Sequence, residues 1–202
     1  MEVSSPQIVR HRVLHLGGFL SPPELEALWT YTMGAQATFV PSGTSDRAEN
    51  YRQSLVLDPS PAFAQSFTAK IRTILPQVVA HLRMKPFALG NIECQITASN
   101  DGSYFNVHTD AGHNETLRRQ LTYVYYFHRQ PKAFEGGELR VYDDQVRNGK
   151  LARYDTWQTI EPRHNSIVFF QAPVMHEVTR VRVPSGEFRD SRFTVNGWIS
   201  RS

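Results

Sequence analysis

The tract Tyr104-Phe105-Asn106-Val107-His108-Thr109-Asp110 reads as a strand that carries an imidazole and a carboxylate two positions apart, so both side chains leave one face. Both can then approach one centre. Alone, such a pair is more often a hydrogen-bonded couple at a strand end. A third donor, His176, follows the apolar segment 167–170 and opens another strand. Two imidazoles and one carboxylate can occupy one face of an octahedral metal ion and leave three positions open. Open positions suit a metal that takes a bidentate cosubstrate and dioxygen, whereas a structural site closes its shell. Zinc hydrolysis competes as a reading, because the same donors can hold zinc with a water.

Arg192 heads the last strand-like segment, 192–199. Alternation there sets Arg192, Thr194, Asn196 and Trp198 on one face and Phe193, Val195 and Gly197 on the other. If the first face is interior, a buried guanidinium needs an anion, either an internal carboxylate or a carboxylate ligand. On an edge strand it would instead be a surface arginine. The remaining histidines, His11, His15, His81, His113, His128 and His164, fall in the N-terminal and helical part, a loop, a strand end and a turn. None is assigned to metal.

The elements that must position these groups are short strands after Gly90, at 91–99, 119–128, 137–142, 158–161, 166–171, 176–183 and 192–199, which predict an antiparallel sandwich or barrel. Within 119–128, Thr122, Val124 and Tyr126 share one face, and Tyr123, Tyr125 and Phe127 share the other. Ahead of the strands, residues 8–16 predict a first strand. Ser21, two prolines and Glu24 open a helix that ends near Gly34. Residues 41–51 are a polar loop. Phe63, Phe67, Ile71, Leu75 and Val79 recur every fourth residue, the period of a second helix, which Pro76 should kink or divide. Two helices ahead of a run of strands are expected to cover one outer face of a sheet. The plan is a single domain, 1–202, with a strand and supporting helices in 1–90 and the β core in 91–202.

The 202 residues are 40% hydrophobic and 11% aromatic, enough for one buried core. A net charge of +3 requires no nucleic-acid partner. Cys94 is the single cysteine, which excludes an internal disulfide and a thiolate metal cluster and fits a reducing, cytoplasmic setting. No apolar run approaches a membrane span, so neither secretion nor insertion is expected. Oligomeric state is left open.

Two further tracts, Leu-Thr-Tyr-Val-Tyr-Tyr-Phe at 121–127 and Glu-Gly-Gly-Glu-Leu-Arg-Val at 135–141, complete a pattern over roughly 90–198. Together they resemble the iron(II)- and 2-oxoglutarate-dependent dioxygenases, in particular the prolyl 4-hydroxylase-like group. The resemblance implies a mainly β protein with supporting N-terminal helices around a double-stranded β-helix, the cupin-like jelly roll. It implies Fe(II) on His108, Asp110 and His176, with 2-oxoglutarate and dioxygen as cosubstrates. Arg192 and Tyr126 would hold the far carboxylate of 2-oxoglutarate, and Val124 and Leu139 would wall it. Thr122, Asn196, Tyr104 and Phe105 would complete the pocket. The implied reaction hydroxylates an unactivated C–H bond and releases succinate and carbon dioxide. A retained Asp110 argues against the related halogenases. The expected substrate is a prolyl residue of a protein or peptide, with a free amino acid or small metabolite as the alternative. A non-catalytic metal-binding interaction module is a third, weaker reading.

Departures are equally informative. Many relatives carry tyrosine three residues before the first metal histidine, whereas this chain has Phe105, so one cosubstrate or substrate contact is either missing or supplied by Tyr104 across a local bulge. The segment 183–191 looks like an added hairpin tip. Loops 42–50, 111–118 and 182–191 are expected to frame the cleft. Arg118 and Arg119 read as a solvated charge pair, with an acidic or carboxylate partner as the alternative, and Gly136 and Gly137 as a tight turn, without the following helix of a phosphate loop.

Overall fold

A computed structural model describes residues 7–43, 51–112, 114–147 and 150–202. The predicted first strand is two: β1 (Gln7–Val9) and β2 (Leu14–Gly17) join different sheets, and residues 10–13 carry the chain from one to the other. Helix α1 (Pro22–Gly34) starts as expected, with the Ser21 amide donating to the Glu24 carboxylate at 2.8 Å. Hydrogen bonds from Lys70 and Ser21 pull the Glu24 carboxyl down to about 2. Short strands β3 (Val40–Pro41), β4 (Arg52–Gln53) and β5 (Leu55–Leu57) flank the polar run, of which 44–50 lie outside the described residues.

Helix α2 (Pro61–His81) is capped by the Ser60 hydroxyl, which accepts from the Phe63 amide at 3.4 Å. Pro76 does not divide it. The proline and Arg72, whose carbonyl loses its partner, both lie on the exposed side of the helix, where water can replace the bond.

The β region follows as β6 (Leu89–Ile92), β7 (Gln95–Ser99), β8 (Tyr104–His108), β9 (Arg119–Phe127), β10 (Glu135–Gly136), β11 (Leu139–Arg147) and β12 (Lys150–Ile160). It ends with β13 (Ser166–Gln171), β14 (His176–Val178), β15 (Val181–Arg182) and β16 (Arg192–Arg201). The expected 91–99 strand breaks at Glu93 and Cys94, and 176–183 breaks after Val178. The β11–β12 hairpin is much longer than the two segments predicted, because residues 143–157 are mostly polar and lack an apolar alternation.

Among the described residues the larger sheet runs β2-β13-β9-β16-β7-β5-β3, with β6 beside β16. The second runs β1-β11-β14-β8-β4, with β12 on β11, and β10 pairs β15. All pairings are antiparallel. Two facing antiparallel sheets make the jelly roll.

Strand parity sorts the core as the sequence predicts. Tyr123, Tyr125, Phe127, Phe169 and Phe193 pack with Phe67, Ile71 and Val78 of α2 in one buried cluster. Tyr126, Val168 and Phe170 pack between the sheets with Leu139 and Val141. Each fully buried side chain of this size contributes about 2 kcal/mol. Gly197 is required by a close approach: a Cβ there would lie 1.9 Å from the Glu93 carbonyl oxygen, which accepts the Tyr123 hydroxyl at 2.6 Å. No helix among the described residues is long and apolar enough to cross a membrane.

Segment 183–191 is not a hairpin tip. It forms a turn and a 3-10 helix, Phe188–Asp190, whose Phe188 ring packs edge-on against Phe193 and Phe39. The carboxylate of Asp190 accepts the Ser185 hydroxyl and pairs with Arg129.

Candidate active site

His108 ends β8 and His176 begins β14, and the two residues are directly paired across the ladder. Asp110 lies beyond the end of β8, so alternation within one strand does not bring it in. Its amide donates to the Ala172 carbonyl at 3.0 Å, which folds the carboxylate back toward the histidines. Asp110 oxygens lie 3.2 Å from His176 Nε2 and 3.7 Å from His108 Nε2. One donor atom from each residue falls within 4.8 Å of the others, and all three residues are buried.

Both imidazoles are oriented for metal binding. His108 Nδ1 donates to the Asn106 carbonyl at 2.7 Å, and His176 Nδ1 to the Val174 carbonyl at 2.9 Å. A carbonyl can only accept, so Nδ1 carries a proton in each ring and Nε2 is the nitrogen turned toward the centre. Burial, followed by the neighbouring His176, pushes His108 down to about 3 despite Asp110. Burial alone would raise Asp110; His176, a Thr122 hydrogen bond and His108 outweigh it and hold the carboxyl well below its usual range. A neutral imidazole beside an ionised carboxylate is the donor state that a divalent cation needs.

The triad opens into a cavity that Val124, Tyr126, Leu139, Arg192 and Asn196 also line. Arg192 is 3% exposed, and its Nε donates to the Gly137 carbonyl at 2.7 Å. It makes no salt bridge among the described residues, and burial lowers its pKa despite Tyr126 and Glu138. The Tyr126 ring lies 5.0 Å from the guanidinium carbon. Burial raises the Tyr126 pKa and Arg192 partly offsets it, yet the buried hydroxyl has no well-aligned hydrogen-bond partner. A dianion with a remote carboxylate would satisfy both groups. The donor set and these unsatisfied groups therefore fit Fe(II) with 2-oxoglutarate.

Other predicted residues take particular places. Asn196 Oδ1 accepts the hydroxyls of Thr97 at 2.7 Å and Thr194 at 3.1 Å, leaving its amide free to donate. Thr122 lines the cavity but bonds Asp110, at 2.6 Å. The expected bulge exists in β8, where His108 pairs His176 while Phe105 pairs Val178. It stacks Phe105 on His108, with ring centres 3.5 Å apart, whereas Tyr104 lies under the Arg180 guanidinium at the rim. Gly137 (φ 72°) confirms the tight turn: a Cβ would come within 2.5 Å of Arg192 Cδ.

Three expectations are corrected. Arg119 is not a solvated charge: it pairs bidentately with Glu93 at 2.9 and 2.7 Å and stacks 3.7 Å over Trp198. The described residues of 111–118 and 182–191 do not line the cavity, and His113 lies outside the described residues. Arg52 and Ser54 line it instead and were missed. Arg52 Nε donates to Ser54 at 3.0 Å, its guanidinium lies 4.9 Å over Phe105, and burial lowers its pKa despite Asp110.

A two-sheet jelly roll with two histidines and one carboxylate facing an interior arginine defines the mononuclear non-haem oxygenase class. More specifically, the chain belongs to the 2OG-Fe(II) oxygenase superfamily, whose model matches residues 94–200. A Synechocystis protein described as an uncharacterized PKHD-type hydroxylase is 45% identical over 185 residues. That match covers 91% of this chain and 61% of the relative, so the chain spans under two thirds of that relative's length. Among solved structures, a Pseudomonas putida prolyl-4-hydroxylase superposes with TM-score 0.69 at 22% identity, covering 95% of this chain and 94% of that one. A Trichoplax adhaerens prolyl hydroxylase, solved with a hypoxia inducible factor peptide fragment, gives 0.66 at 13%, covering 94% and 83%. These two likenesses concern the fold.

Proposed function

We propose that the protein is an Fe(II)- and 2-oxoglutarate-dependent hydroxylase of an unactivated C–H bond, with a prolyl residue of a protein or peptide as substrate. One observation carries the chemistry: three buried candidate metal donors converge in the same cavity as a buried arginine that makes no salt bridge among the described residues. His108, Asp110 and His176 would hold the metal. Arg192 and Tyr126 would take the far carboxylate, with Val124 and Leu139 against the cosubstrate's methylenes. When bound, the iron and 2-oxoglutarate supply oxidation by dioxygen, yielding succinate and carbon dioxide. The chain's own task is placement. Nδ1–carbonyl bonds fix both imidazoles, and Phe105 and Phe170 pack on them. The prolyl assignment is supported by the PKHD-type relative and by the prolyl hydroxylases that share the fold.

Arg52 favours a second substrate reading. It is a second cavity guanidinium without an acidic partner among the described residues, which suits a free amino acid or small carboxylate. Mass spectrometry of candidate peptides and metabolites after reaction separates the two. A one-oxygen gain on a peptide proline is expected. Oxygen gained only by small carboxylates would sink the prolyl assignment and support the second reading.

A further inference from the structure

Asp110 is the metal-donor candidate that no strand holds. Its backbone is tied through the amide to Ala172 at 3.0 Å and through the carbonyl to Arg119 Nη1 at 3.4 Å. Neither bond controls rotation of the carboxylate about its last torsion, which is broad and nearly two-fold for aspartate. Control comes from Thr122, whose hydroxyl donates to Asp110 Oδ2 at 2.6 Å. Thr122 is 4% exposed and sits in β9 of the larger sheet, where it pairs with Phe170 on one side and Trp198 on the other. A β-branched residue so fixed has little freedom at χ1. The bond therefore runs from the larger sheet to the turn leaving the smaller one. The other oxygen, Oδ1, accepts no hydroxyl or amide among the described residues and faces His108 Nε2 at 3.7 Å.

We infer that Thr122 is a positioning residue: it holds Oδ2, which also lies 3.2 Å from His176 Nε2, and so fixes the rotation of the carboxylate that faces the metal. The inference rests on the metal reading above. It gives Thr122 a role distinct from touching 2-oxoglutarate. Groups that orient a metal ligand in this way commonly change affinity by about 10- to 100-fold when removed.

The test is titration of Mn(II), a redox-silent probe, into the metal-free 202-residue protein, with free Mn(II) read by electron paramagnetic resonance and thermal unfolding measured alongside. T122V keeps the shape and removes the hydroxyl; T122S keeps the hydroxyl. T122V should bind Mn(II) at least about tenfold more weakly than wild type, and T122S within about twofold. Wild-type affinity in T122V overturns the inference, as does an equal loss in T122S, which would assign the effect to the methyl group. If T122V does not fold, T122A against T122S is judged by the same criteria. A wild-type protein that binds no Mn(II) overturns the metal reading, and this inference with it. Intact wild-type binding with an indifferent T122V overturns this inference alone.

Discussion

Arg192 and Gly137 are joined by a 2.7 Å hydrogen bond from the arginine Nε to the glycine carbonyl. The bond leaves the terminal guanidinium nitrogens available to the cavity that holds the metal donors. A glycine in the left-handed region (φ 72°) is what lets the turn pass this close to the arginine side chain. Arg192→Gln should therefore weaken 2-oxoglutarate binding at least about tenfold, the loss of a charge-assisted pair, and leave Mn(II) affinity within about twofold. Calorimetry with each ligand separately checks this.

Tyr126→Phe should move two quantities in opposite directions. The buried hydroxyl has no well-aligned partner, so removing it should leave the ligand-free protein as stable or up to about 1 kcal/mol more stable. Binding of 2-oxoglutarate should weaken by about three- to tenfold, the worth of one hydrogen bond. Denaturant unfolding of ligand-free protein, paired with a binding titration, measures both.

His128 sets a pH dependence away from the metal. Burial pushes it down to about 4, with the Arg129 carbonyl opposing. Its folded pKa lies below the unfolded value near 6.5, so the unfolded chain binds more protons between about pH 6.5 and 4. Stability is thus fully present above about 6.5 and falls as pH drops toward 4, by roughly 2–3 kcal/mol for this one group. His128→Gln should flatten that part of the curve, as read by urea unfolding at stepped pH. An unchanged slope would exclude His128 as its source.

The convergence of His108, Asp110 and His176 on the cavity of Arg192 was legible because such a donor set is rare and the strands around it are mostly regular. In β9 and β16, alternation alone separates Thr122, Val124 and Tyr126 from the helix-facing tyrosines, and Arg192 from Phe193. Asp110 was placed correctly for the wrong reason: its approach comes from a turn bonded to Ala172 rather than from strand parity. Arg52 was invisible because β4 is two residues long and reaches the cavity only by pairing with β8. So short a strand has no period to read. Arg119 was misread because its partners, Glu93 and Trp198, come from distant chain positions.

The central claim is that the His108, Asp110 and His176 centre couples 2-oxoglutarate to oxygen. The most direct measurement is succinate formed from 2-oxoglutarate by Fe(II)-loaded protein in air, across a panel of candidate substrates, beside D110A and H108A. Wild type should form succinate with at least one substrate, D110A and H108A should form none, and formation should cease without oxygen. Wild type inactive with every substrate, or variants as active as wild type, would contradict the account.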